Sequence, residues 1–170
     1  QFHSDFFSGD EYAFESCYPA LLILKAYLIM YRIQCKDFDE LDYNKIDFLL
    51  DGTIEIISAN KNNPISEENS FALSIEKEQE RNKKISYKEA FHKVICDVVR
   101  NSLAHGNVNV YISPLTLERK IDLTDTDPKT GRVRQLRFEI DSFNKFVSSD
   151  AFLPKNCYNK EESNTLSKDI

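Results

Sequence analysis

The residues best suited to chemistry lie together in Val98-Val99-Arg100-Asn101-Ser102-Leu103-Ala104-His105-Gly106. Arginine presents a planar fork that grips phosphate oxygens and offsets the charge that builds up when a phosphodiester is attacked. Histidine is the side chain that exchanges a proton near neutral pH. Arg100 and His105 are therefore a minimal set for breaking an RNA backbone without a metal. Asn101 is placed to orient either the histidine or the phosphate. Asp97, nearly one turn earlier, is placed to position Arg100.

These groups need a helix to carry them, and the sequence marks one firmly. Ser86-Tyr87-Lys88-Glu89 has the capping-box pattern, in which the serine accepts from the third-residue amide and the glutamate reaches back. Gly106 is the natural left-handed stop. Between them Phe91, Val94, Ile95, Val98, Val99 and Ser102 wind onto one side, with Leu103 at its edge, as a core stripe. The neighbouring flank carries Arg100, Ala104, Asp97, Ala90, Asn101 and His105 in that angular order. Arg100 and His105 lie about 140° apart on an ideal helix. Either the reach of arginine or fraying at Gly106 brings them to one ligand, or the alanines admit an identical helix across a two-fold axis, so that two Arg/His sets line one cleft.

The rest of the chain reads as support for that helix. Its 170 residues suffice for one domain with its own core. Hydrophobic content of 41% with 29% charged residues is globular, and only 4 glycines and 5 prolines favour helices over a turn-rich sandwich. A first core helix is expected over about 11–35, with Pro19 either kinking it or starting a second segment. Leu21, Leu22, Ile23, Leu24, Tyr27, Leu28, Ile29, Met30 and Ile33 make it apolar almost all round, so it needs cover on several sides. A second helix is expected over about 42–60, with Ile46, Leu49, Leu50, Ile54 and Ile57 on one stripe. Residues 61–84 are polar and read as a loop, or as a loop plus a short solvated helix over about 67–81.

After Gly106 the period shifts towards two: Val108, Val110 and Ile112, then Ile121 and Leu123, then Val133, Leu136, Phe138 and Ile140 beyond a turn at Asp127-Pro128-Lys129-Thr130-Gly131. Asp141 is expected to cap a last helix over 142–149. Residues 1–10 read as an arm and about 155–170 as a frayed tail, both flexible. The expected fold is mainly α, an up-and-down bundle with a small antiparallel β-hairpin appended.

A net charge of −6 argues against a protein that coats phosphate backbone, but leaves room for a small local site. Lys120, Arg132, Arg134 and Arg137, with Arg119, form a hairpin patch that meets RNA backbone or is simply a solvated strand face. Asp122, Asp125 and Asp127 match no calcium loop. Cys17, Cys35, Cys96 and Cys157 are far apart, without ligand spacing, and read as free thiols of a reducing cytosol. His92 reads as a packed or edge histidine. No metal or cofactor is expected. The apolar run 20–33 is interrupted by Lys25 and too short to span a bilayer, so a soluble, cytoplasmic protein without membrane contact is expected.

Arg100-Asn101, three further residues and His105-Gly106 resemble the signature of the HEPN superfamily: Arg, a polar residue and, a few positions later, His at the end of a bundle helix. Val98-Val99 before the motif and the hairpin after it are also similar to prokaryotic members. The resemblance is most specific within about 86–145 and only architectural over 11–60. It implies a metal-independent endoribonuclease acting as a homodimer, in toxin, abortive-infection or CRISPR-associated defence settings, with an antitoxin or activating domain as partner. Arg100 and His105 would be catalytic and Asn101 their polar companion. The resemblance implies attack of the RNA 2′-hydroxyl on the adjacent phosphate, giving 2′,3′-cyclic phosphate and 5′-hydroxyl ends. The competing expectation is a noncatalytic helical dimerisation, RNA-binding or partner-binding module of a larger protein.

Overall fold

Long-range strand pairing organises the computed structural model, which describes residues 11–34, 45–47, 49 and 54–152. The elements are α1 (Glu11–Gln34), β1 (Ile54–Asn60), α2 (Ser70–Arg81), α3 (Tyr87–Ala104), β2 (Val108–Ile112), β3 (Arg119–Thr126), β4 (Arg132–Glu139) and α4 (Ile140–Val147), followed by a 3-10 turn at Asp150–Phe152. The strands form one sheet in the order β1-β4-β3-β2, antiparallel throughout. The expectation of a mainly helical bundle with a small hairpin is thereby corrected. The protein is α+β, with the helices packed on a four-stranded sheet.

The departure from a bundle lies within residues 42–60. Ile54–Asn60 is a strand paired with β4, matching Ile54 with Phe138 and Ile56 with Leu136. Its isoleucines satisfy a helical stripe and a half-buried strand equally well, and a partner some eighty residues away decides between them. Ile46 and Leu49 do enter the core, from 3-10 geometry, and the other residues between 42 and 53 are outside the described set, apart from Lys45 and Asp47. The proposed arm and tail also lie outside it.

The remaining helices match expectation in position and differ in detail. α1 runs through Pro19 as one helix. It buries Leu22, Ala26 and Met30 and leaves Leu21, Leu24, Tyr27 and Leu28 exposed, so the described residues cover one side of it, not several. Of the two alternatives for 61–84 the helix is present: Asn69 caps α2, its side chain accepting from the amides of Phe71 and Ala72 at 3.1 and 3.0 Å. α4 starts earlier than expected, with Glu139 at the N-cap and no side-chain cap bond, so Asp141 sits inside the first turn instead of capping it. Packing, not capping, holds α4: Phe143 and Phe146 meet Phe138 of β4 at centroid distances of 5.5 and 5.7 Å.

The capping box at Ser86 is complete, with Ser86 Oγ accepting from the Glu89 amide at 3.2 Å and the Ser86 amide donating to Glu89 Oε2 at 2.8 Å. At the other end Asn107 N donates to Ser102 O at 2.8 Å and Gly106 N to Leu103 O at 3.2 Å, with Gly106 at φ 69°. That is the paired-bond stop that favours glycine. α3 packs against α2, β3 and α1. Facing it, Ile121 and Leu123 of β3 pair with Phe138 and Leu136 of β4, all fully buried. Period two puts Asp125 and Arg134 next in that inward row, again opposite each other. No helix among the described residues is long and apolar enough to cross a membrane.

Candidate functional site

Arg100 and Asn101 emerge from the last turns of α3 where it overlies the polar end of that inward row. Arg100 Nη2 donates to Asp97 Oδ1 at 2.7 Å, an i, i+3 ion pair along the helix. Its Nε and Nη2 also donate to Asn101 Oδ1, both at a long 3.4 Å. Asn101 Nδ2 donates in turn to Asp125 Oδ2 on β3 at 3.2 Å. The same Asp125 oxygen takes a short ion-paired bond from Arg134 Nη2, and Arg134 Nη1 donates to Ser74 Oγ of α2 at 3.1 Å. The sequence-predicted set Asp97, Arg100 and Asn101 is thus brought together, and joined by two residues of the sheet.

His105 is held differently. It is the C-cap of α3, its backbone N–H donating to Asn101 O at 3.0 Å, and it is exposed. α3 stays regular to Ala104, so no fraying closes the angular gap to Arg100. The hydrogen bonds from Arg100 to Asp97 and Asn101 stay within α3 and turn the guanidinium towards those two side chains. Nor is the alanine strip open along its length: Ala90 is fully buried within the protomer, while Ala104 is exposed. A twin helix approaching this flank would meet Ala104 and the motif end only.

A cleft of about 230 Å³ runs between α2 and the ends of β3 and β4. Its walls include Lys77 and Arg81 from α2, Arg134 from β4, and Asp97 and Asp125. The last two carboxylates are those that hold Arg100 and Asn101, so the cleft adjoins the motif.

Lys120, Arg132, Arg134 and Arg137 of the hairpin patch are already matched with carboxylates. Arg132 makes a two-pronged pair with Glu68 at 2.6 and 3.0 Å. Arg137 grips Asp122 at 2.9 and 3.1 Å, and this bonding raises the guanidinium pKa further. Lys120 lies 3.7 Å from Glu118 and 3.9 Å from Glu139. Of the three aspartates considered for a cation, Asp122 and Asp125 serve these pairs. Asp127 accepts from the Lys129 amide at 2.9 Å, and that bond holds its carboxyl below the usual range. No cluster of metal-ligating groups occurs among the described residues.

His92 is fully buried, its ring 5.7 Å from that of Phe91, and burial lowers its pKa against the opposing pull of Asp47. It is a packed histidine. Cys96 is buried too, which pushes its thiol up to about 12 and removes it from nucleophilic chemistry.

Asp125 is the residue whose place beside the motif sequence reasoning missed, having weighed it only as a cation ligand. The signal was present: two positions past Leu123 on an alternating strand, it had to face the core side, where a carboxylate needs a partner. Comparison with known proteins gives no match to a family model, a curated protein or a solved structure.

Proposed function

We propose that this chain is a metal-independent endoribonuclease of HEPN type. The observation that carries this is the end of α3: an exposed histidine at the C-cap, with Arg100 five residues earlier oriented by Asp97 and Asn101. His105 accepts or relays the proton of the RNA 2′-hydroxyl as its oxygen attacks phosphorus. The bond from phosphorus to the 5′-oxygen breaks, that oxygen takes up a proton, and the products carry 2′,3′-cyclic phosphate and 5′-hydroxyl ends. Arg100 holds the phosphate oxygens while charge accumulates on them. Because Arg100 and His105 diverge on one helix, the reading places a second copy opposite, so that the site is shared across a homodimer. The cell compartment in this reading is the cytoplasm and the setting is defence or toxicity, with an antitoxin or activating domain controlling the cut.

A second reading, a noncatalytic dimerisation, RNA-binding or partner-binding module, is favoured by one observation. Leu21, Leu24 and Leu28 line up at helical spacing on α1 with Tyr27 beside them, and they are 43–56% exposed.

Incubation with structured and unstructured RNA in EDTA, with end-group analysis of the fragments, tests the choice. The nuclease reading expects cyclic phosphate ends and an uncut strand wherever a 2′-deoxy nucleotide replaces the attacking one. Cutting that depends on added divalent cation, or that proceeds on the 2′-deoxy strand, refutes the mechanism. Binding of RNA without any cutting, with lysate supplied as a source of activator, supports the module.

A further inference from the structure

We infer that Asp125 is a positioning residue, which sets the Asn101 amide and through it the guanidinium of Arg100. The inference rests on the ribonuclease reading for its catalytic consequence but not for its structural content. An amide side chain has one accepting end and one donating end. Asn101 presents Nδ2 to Asp125 Oδ2 at 3.2 Å and Oδ1 to Arg100 at 3.4 Å. Reversing the amide would set oxygen against carboxylate and NH2 against guanidinium, so both neighbours enforce the same orientation. The two bonds to Arg100 are long and individually weak. Their geometry matters more than their strength, because they set the guanidinium across the helix while Asp97 holds it along the helix.

Asp125 is rigid for reasons legible in the fold. Its side chain is 12% exposed, it follows the buried Ile121 and Leu123 on the inward face, and it sits directly opposite Arg134. Arg134 is 18% exposed and also bonded to Ser74 of α2. The relay from sheet to motif is therefore Arg134 to Asp125 to Asn101 to Arg100. It follows that Arg134 acts as the counter-ion of Asp125. Drawing it away towards an RNA phosphate would leave a largely buried carboxylate uncompensated.

Asp125→Ala, Asp125→Asn, Asn101→Ala and the double variant Asp125→Ala/Asn101→Ala separate positioning from simple structural support. Asparagine at 125 keeps an oxygen that accepts from both Asn101 and Arg134, and loses only the charge. The expectation for Asp125→Ala is a kcat for RNA cleavage reduced about 10- to 100-fold with KM within about twofold, since small misplacements of a catalytic group cost this much. Asp125→Asn should recover to within about threefold of wild type. The double variant should be no slower than Asn101→Ala. Equal loss in Asp125→Ala and Asp125→Asn, an unchanged rate in both, or a double variant slower than Asn101→Ala overturns the inference.

A readout independent of cleavage is the NMR signals of the Arg100 Nε–H and the Asn101 side-chain amide. They should shift and broaden in Asp125→Ala and stay near their wild-type positions in Asp125→Asn. If wild-type protein cuts no RNA but the signals behave this way, positioning stands and the nuclease reading falls. If the signals ignore Asp125→Ala, positioning falls whatever the activity. Should Asp125→Ala not fold, Asp125→Ala/Arg134→Leu, which strands neither charge, replaces it in both measurements.

Discussion

Replacing His105 with alanine separates the chemistry of the motif from the stability of the helix that bears it. The residue at this position contributes to folding through its backbone: the N–H donates to Asn101 O at 3.0 Å, and the following Gly106 supplies the left-handed stop at φ 69°. Alanine keeps both features. The imidazole is exposed, so its removal uncovers no core. Unfolding free energy should therefore change by no more than about 0.5 kcal/mol, the range of surface substitutions away from special features. Cleavage should fall by about 10² to 10⁴, the usual contribution of a positioned acid or base, which corresponds to about 3 to 5 kcal/mol of barrier. Arg100→Ala is the companion. It strands Asp97, but that carboxylate is 39% exposed, so water takes over and the stability cost stays under about 1 kcal/mol. The assay is paired: urea unfolding followed by circular dichroism, and turnover of a fluorogenic RNA in EDTA. A wild-type cleavage rate in His105→Ala would sink the assignment of proton transfer to the imidazole. Loss of more than about 2 kcal/mol of stability in step with lost cleavage would make the residue structural.

Ser86→Ala removes the acceptor for the Glu89 amide while leaving the reciprocal bond from the Ser86 amide to Glu89 Oε2. A loss of about 1 kcal/mol is expected, seen as a melting temperature lower by about 2–4 °C for a chain of this size; an unchanged melting temperature would mean that the start of α3 is held by packing alone. For His92, burial lowers the folded-state pKa below the unfolded value of about 6.5. The unfolded chain then binds the extra proton as pH falls, so this contribution to stability is complete above that value and is lost as pH drops through the window down to the folded pKa. Urea titrations between pH 7.5 and 5 should show a decline that His92→Leu reduces, and an identical pH slope in the variant would refute the assignment.

Local rules were enough for much of this protein. Ser86, Glu89 and Gly106 define the ends of α3 by hydrogen bonds that close within a few residues, so a capping box and a left-handed stop are readable in one dimension. The same holds for the turn at Asp127 to Gly131, where Asp127 accepts from the Lys129 amide and Gly131 takes φ 72°. The proximity of Asp97, Arg100 and Asn101 is a property of helical spacing and was visible for that reason.

What tertiary structure alone decided is anything whose partner lies far along the chain. Ile54–Asn60 is a strand because β4 offers it an edge, and apolar periodicity over seven residues carries no record of that edge. That pairing adds a fourth strand to the three formed by β2, β3 and β4, and the result is an α+β fold and not a bundle with a hairpin. The hairpin arginines look like an open cationic patch in sequence, yet Glu68, Asp122 and Asp125 match three of them once the sheet and α2 are in place. Asp125 reaches Asn101 across 24 positions. Hydrogen bonds and ion pairs act over a few ångströms, and only the folded backbone brings groups so distant in sequence within that range.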